Sequence, residues 1–163
     1  MDKQQISKWM KHNVVSAEAD MTVREAAVLV MEKKVGTLPV VDEAGPLVGV
    51  ISMGDIIQIL LPDFVSLLSD IGFIKDYGAL ESPSLENLEE VGRLSVADIM
   101  RDPVVVEDNC ALIRALSVME KHKLRDLLVV KEGKLVGIAS RVDIGRAFLI
   151  NWPISQADEQ EAD

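Results

Sequence analysis

The sequence has a single cysteine, Cys110, in 163 residues. An intrachain disulfide is therefore excluded, and a disulfide-stapled scaffold with it. Aromatic residues are scarce: two Trp, one Tyr and three Phe. Cations are outnumbered, with 17 Lys and Arg against 27 Asp and Glu and a net charge of −10. Affinity for nucleic acid rests largely on neutralising phosphates with Lys and Arg. An acidic chain with few aromatics is unsuited to that work, and no nucleic-acid partner is expected. No apolar run approaches the ~20 residues of a membrane helix, so no membrane insertion is expected. The opening Met1-Asp2-Lys3-Gln4-Gln5 is polar and lacks the apolar core of a signal peptide. The expected location is cytoplasmic.

Catalytic and metal-binding patterns are also missing. The two histidines, His12 and His122, stand far apart in sequence, and no Cys-x-x-Cys or His-Glu-x-x-His spacing occurs. No metal site is expected. There is no Gly-x-Gly-x-x-Gly run or P-loop, and nothing pairs a nucleophile with a base. No catalytic residue is assigned, and the chain is not expected to be an enzyme. His122, in a Lys-His-Lys run at a helix end, suits the helix dipole. Cys110 precedes an apolar helix and reads as a packed small residue.

What is present is a repeat. Residues 45–55, Gly-Pro-Leu-Val-Gly-Val-Ile-Ser-Met-Gly-Asp, are answered by residues 133–143, Gly-Lys-Leu-Val-Gly-Ile-Ala-Ser-Arg-Val-Asp, at an offset of 88 (133 − 45). Upstream, Leu38 to Val41 answers Leu127 to Val130 one residue further apart, because the first hairpin loop, Asp42 to Gly45, is longer. Ala26 and Val30 answer Ala115 and Met119, and Met10, Val14 and Val15 answer Met100, Val104 and Val105. A repeat sets the architecture before propensities are weighed.

Each copy predicts the same order of elements. Val14–Ser16 and Val104–Val106 read as short strands. Residues 22–34 and 112–123 carry apolar side chains at helical spacing, with Thr22 and Glu25 forming a capping box. Hairpins follow at 38–41 with 47–51, and at 127–130 with 135–139. Helices close the copies at 54–61 and 142–150. The fold class is α/β (α+β), in two β-α-β-β-α repeats. The expected boundaries are repeat one at 1–61, an insert at 62–94, repeat two at 95–152 and an acidic tail at 153–163. The tail, rich in Asp and Glu, is expected to be solvated or disordered. The insert holds an apolar cluster from Phe64 to Ile74 and a short acidic helix at Leu85–Val91. It reads either as a partner surface or lid, or as packing against the chain's own core.

These residues resemble the cystathionine-β-synthase (CBS) domain, occurring twice. The resemblance is carried by Leu38-Pro39-Val40-Val41-Asp42, Leu47-Val48-Gly49-Val50-Ile51-Ser52 and Asp55 in the first copy. In the second it is carried by Leu127-Leu128-Val129-Val130, Leu135-Val136-Gly137-Ile138-Ala139-Ser140 and Asp143. It covers about two-thirds of the chain. It implies two small sheets about a pseudo-twofold axis and a homodimer. It also implies clefts between the copies that take adenosyl ligands such as AMP, ADP, ATP or S-adenosylmethionine, and an effector protein that receives the signal. Such a ligand would be regulatory; no cofactor is required.

Within that resemblance, Asp143 with Ser140 and Asp55 with Ser52 are the expected ribose contacts. A carboxylate in the first turn of a helix can accept from two neighbouring hydroxyls. Arg141 is the expected phosphate contact, beside a helix N-terminus that favours anions. Val14, Val15, Val104 and Val105, with Leu38 and Leu127, are the expected adenine contacts. Met53 stands where the other copy has Arg141, so the Ser140 cleft is expected to be the stronger. Asp126 is acidic where relatives favour phosphate; Arg125 beside it could compensate, but the departure counts against di- and triphosphates. Ser-x-x-Asp also spells an ordinary N-cap box, and that alternative makes the two clefts vestigial parts of an interaction module.

Overall fold

The computed structural model describes residues 4–60 and 84–150. The apolar cluster at Phe64–Ile74 and the acidic tail lie outside them. Two three-stranded sheets carry the described fold. Copy one contributes β1 (Ala17–Glu18), β2 (Thr37–Val41) and β3 (Leu47–Ser52), and copy two β4 (Val105–Glu107), β5 (Asp126–Lys131) and β6 (Lys134–Ser140). In each sheet the first strand runs parallel to the second, and the second and third form a hairpin. The helices are α1 (Val23–Lys33), α2 (Met53–Leu60), α3 (Leu85–Arg93), α4 (Val96–Ile99), α5 (Leu112–Lys121) and α6 (Arg141–Leu149).

Local chemistry explains most of these limits. Thr22 and Glu25 cap α1 reciprocally, as their spacing predicts. α1 stops at Lys34, and Lys123 follows α5 at the equivalent place; both have φ near 54°. A left-handed residue ends a helix and redirects the chain. In the second hairpin Glu132 and Gly133 both have positive φ, 51° and 77°, as a two-residue type I′ turn requires. The first strand of each copy is displaced from expectation: it falls at Ala17–Glu18 rather than Val14–Ser16, and at Val105–Glu107 rather than Val104–Val106. Pairing with β2 begins only at Ala17 opposite Val40. Val14 and Val15 precede it as an unpaired approach.

Among the described residues, five isolated bridges tie the copies together: Gln5 to Ala111, Thr22 to Ser95, Lys11 to Ile138, Val50 to Arg101, and Pro46 to Lys134. Under the repeat, Gln5 answers Ser95 and Thr22 answers Ala111, so the first two bridges are images of each other. The next two are images as well. Pro46 and Lys134 answer one another, so their contact must straddle the pseudo-twofold axis. Thr37 and Asp126 are also equivalent, and the Thr37 hydroxyl donates to the Asp126 carboxylate at 3.2 Å. Two such self-equivalent contacts fix where the axis runs.

The bridges also show that the lead-in segments are exchanged. Ile6 and Met10 belong to the core of copy two, with Leu112, Met119, Leu127 and Ile144. Val91 and Val96 belong to the core of copy one, with Val23, Leu38, Ile51 and Ile56. The exchange depends on two glycines. A Cβ on Gly137 would lie 2.8 Å from Met10 Cγ, and one on Gly49 would lie 2.9 Å from Met100 Cγ. Only a residue without a side chain lets the lead-in lie this close to β3 or β6. α3, expected as part of a separate insert, packs on α1 and α2 and helps close the copy-one core.

Gly49→Ala and Gly137→Ala are each expected to lower stability by about 1–3 kcal/mol, the usual range for overpacking. Combining Gly49→Ala with Met100→Ala should cost clearly less than the two single effects summed. Urea denaturation of the four proteins checks this; strict additivity would show that the Met100 contact is not the constraint.

Candidate functional site

Both Ser-x-x-Asp segments sit where a third strand runs directly into a helix. Ser140 is the N-cap of α6, and its hydroxyl oxygen accepts from the Asp143 amide at 3.2 Å. The Asp143 carboxylate accepts from the Ser140 amide at 2.9 Å and from its hydroxyl at 2.6 Å. Ser52 and Asp55 repeat this at the start of α2, with the amide and the hydroxyl both at 2.7 Å from Asp55 Oδ2. The N-cap reading of these motifs therefore holds in both copies. The caps thus engage the same carboxylates that the sequence assigns to a ribose.

Each carboxylate also receives a cation from the other copy's exchanged lead-in. Arg101 grips Asp55 with two nitrogens, Nε to Oδ1 at 2.7 Å and Nη2 to Oδ2 at 3.1 Å. Lys11 approaches Asp143 as a single charge at 3.7 Å. The two pairs are images under the repeat. They follow from the exchange, because Arg101 and Lys11 occupy the lead-in positions bridged to β3 and β6. Burial alone would push the Asp143 carboxyl up. The Ser140 hydroxyl and amide, with the Lys11 and Arg146 charges, outweigh burial and hold it below the ordinary Asp value.

A cavity of about 430 Å³ lies beside the first motif, within the roughly 300–1,000 Å³ of small-molecule sites. Its walls come from both copies. Thr37, Val50, Ser52, Met53 and Gly54 face Arg101, Asp102 and Val104, and the turn His122–Asp126 closes it with Leu128. The left-handed Lys123 makes that turn and delivers Lys123, Leu124 and Arg125 to the cavity. Lys123 is held by Glu120 at 2.8 Å. Asp55 lies just outside, in an adjoining open groove with Gln58, Ile59 and Ile99, and Arg101 lines both spaces.

The expected site residues are distributed unevenly. Ser52 and Val104 line the cavity. Val105 points away, into a groove of about 520 Å³ with Cys110, Arg114 and Val118. Val15 packs against the copy-one core, and Val14 is half-buried on the approach to β1. Leu38 and Leu127 have no exposed surface and belong wholly to the two cores. Arg141 donates to the Leu124 carbonyl at 3.2 Å, to the Met119 carbonyl at 3.5 Å and to Glu120 at 3.0 Å. Its guanidinium thus caps the carboxyl end of α5, where cations are favoured. The site side chains without an assignment from sequence include Arg101, Lys123, Arg125, Val50 and Leu128. The signal for Lys123 lay in the basic run Lys121-His122-Lys123, which reads as a helix end unless the turn after it is known.

The lowered Asp143 pKa carries a sign. A carboxyl depressed on folding stabilises the fold above its unfolded value, about 3.9, and that contribution disappears as pH falls through the folded value. Asp143→Asn should therefore flatten the loss of stability on acidification below about pH 4. Urea midpoints measured from pH 6 to pH 2 check this. An unchanged acid slope would mean Asp143 is not held by its partners.

The sequence matches the CBS domain profile over residues 5–62 and again over 96–150. It is 31% identical over 153 residues to the chloroplast protein CBSX2 of Arabidopsis thaliana, across 85% of this chain and 60% of the relative. It is 30% identical over 147 residues to YlbB of Bacillus subtilis, across 85% and 83% of the two chains. The match spans between 26% and 60% of the length of four curated relatives. The crystal structure of CBSX2 in complex with AMP superposes with a TM-score of 0.66, covering 90% of this chain and 96% of that one at 31% identity. Doubled profile matches, the paired sheets and the likeness to a solved pair agree: this chain belongs to the CBS domain family and carries two of its domains in tandem.

Proposed function

We propose that this chain is a regulatory module that binds an adenosine-containing ligand between its two CBS domains and passes that state to a partner protein. One observation carries the reading. The cavity at Ser52 joins a hydroxyl and a helix start from one copy to Val104, Lys123 and Arg125 from the other. A flat apolar wall, a nearby carboxylate and several cations suit a base, a ribose and a phosphate in that order. The relative CBSX2, whose crystal structure contains AMP, supports the ligand class.

Ser52 and Asp55 are proposed for the ribose, with Val104, Val50 and Leu128 beside the base and Lys123 and Arg125 near the phosphate. The pseudo-symmetric pair Ser140 and Asp143, with Val14, is proposed for the second cleft. AMP is the leading candidate among AMP, ADP, ATP and S-adenosylmethionine, since Asp102 and Asp126 in the wall oppose a long phosphate chain. No helix among the described residues is long and apolar enough to cross a membrane. A cytoplasmic homodimer that signals to a separate effector chain completes the proposal.

A second reading has its own support. Both carboxylates are already engaged by cap boxes and by Arg101 or Lys11. A module whose clefts have become structural would look the same without ligand.

Thermal denaturation with AMP, ADP, ATP and S-adenosylmethionine separates the two. A ligand at a hundredfold excess over its dissociation constant adds about 2.7 kcal/mol to folding stability. AMP is expected to raise the midpoint most, and Asp55→Ala to reduce that rise. No shift with any of the four would favour the structural module.

A further inference from the structure

We infer that Arg101 is the residue by which the Ser52 cleft selects a phosphorylated nucleotide over the bare nucleoside: the ribose displaces it from Asp55, and the ligand's phosphate receives it. This rests on the nucleotide reading of the cleft and adds to it a residue and an order of selectivity.

The argument begins with lone pairs. A carboxylate has about four acceptor positions. Asp55 already has four donors: the Ser52 amide, the Ser52 hydroxyl and Arg101 Nη2 at Oδ2, and Arg101 Nε at Oδ1. Oδ2 is fully occupied and Oδ1 keeps one lone pair, so a diol, which needs two acceptor positions, is accepted only when a donor leaves. The two Ser52 donors are local to the helix start and fixed by it. The guanidinium is the mobile one. Its side chain is 58% exposed, while its backbone is held to Val50 by hydrogen bonds of 2.9 Å in each direction. Only the side chain can swing without disturbing β3.

Position sets the direction of that swing. Arg101 lines both the cavity and the groove that holds Asp55, so it stands between an incoming ribose and its acceptor. On the cavity side are Lys123 and Arg125. Among the described residues Arg125 has no ion pair or side-chain hydrogen bond. The carboxylates on that side are Asp102 and Asp126, and Asp126 accepts from Thr37. A ligand carrying both a diol and a phosphate exchanges one charge-assisted pair for another. A ligand with the diol alone must break the pair and leave the guanidinium uncompensated.

The image pair, Lys11 with Asp143, is a single contact at 3.7 Å. It offers no two-pronged grip, so the same selection is not built into the other cleft.

Isothermal titration of the full chain with adenosine and AMP tests this, using wild type, Arg101→Gln, Arg101→Lys and, as a control away from both motifs, Arg93→Gln, whose side chain pairs, among the described residues, only with Glu89. Wild type should favour AMP by tenfold or more. Arg101→Gln should bind adenosine more tightly and AMP less, collapsing the ratio by at least tenfold. Arg101→Lys should fall between, and Arg93→Gln should leave the ratio unchanged. Thermal melts confirm that each variant is folded. Equal weakening of both ligands by Arg101→Gln, or an unchanged ratio, overturns the inference while AMP binding to wild type keeps the nucleotide reading. Binding of neither ligand to wild type would remove both.

Discussion

The exchange of lead-in segments is the constraint on which the rest of the structure depends. Each copy's core contains residues that precede the other copy in sequence: Ile6 and Met10 in one, Val96 in the other. Ile6 and Val96 are fully buried. Fully burying a side chain of this size contributes about 1.5–3 kcal/mol. The copies therefore cannot separate without opening both cores at once. A β-α-β-β-α unit of some 55 residues is marginal alone. The exchange turns two marginal units into one body with a shared stability.

The same exchange sets the charges at both helix starts. A lead-in bridged to the opposite third strand brings its next basic residue beside the carboxylate that starts the opposite helix. That is why Arg101 meets Asp55 and Lys11 meets Asp143, although 46 residues separate the first pair. Gly49 and Gly137 admit the lead-ins, so two glycines in the sheets determine the electrostatics at the helix starts. The cavity is then closed by a turn from copy two, redirected by Lys123 in the left-handed region. Cleft, core and axis are consequences of one packing arrangement.

Much of this was legible in the sequence, for definite reasons. The hairpins and principal helices carried strong periodicity, and their limits fell within about two residues of expectation because the caps are local chemistry. Thr22 with Glu25, and Ser140 with Asp143, form their boxes from residues three apart. The first strands carry little local signal because β1 has only two residues and depends on where β2 lies. Arg101 carries none, because its partner is set by the exchange, which no local pattern encodes. The position of Arg141 after Ser140 points to a phosphate, yet its length lets it reach the end of α5. Leu38 and Leu127 face the cores rather than an adenine, each on the same side of its strand as the core residue two places on, Val40 and Val129. A repeat reveals which residues are equivalent; it does not reveal which of them meet. Gly49 with Met100 and Gly137 with Met10 were all visible as repeated residues, and only their contact was hidden.

The differences between the copies act on this symmetric frame. Arg101 holds its carboxylate with two bonds in a fixed plane, and Lys11 holds the equivalent one as a point charge. The second motif is the more deeply buried, with Asp143 at 9% exposure, while the cavity lies at the first. A buried, weakly gripped carboxylate and a more accessible, strongly gripped one favour different uses. The first is tied closely into its own helix start by Ser140. The second sits beside open volume, and its partner is a flexible cation that can be traded for another. Two motifs that are alike in sequence thus diverge in chemistry through residues contributed by the opposite copy. Function in this fold is accordingly a property of the pair of copies, and comparing the two Ser-x-x-Asp motifs alone would miss where they differ most.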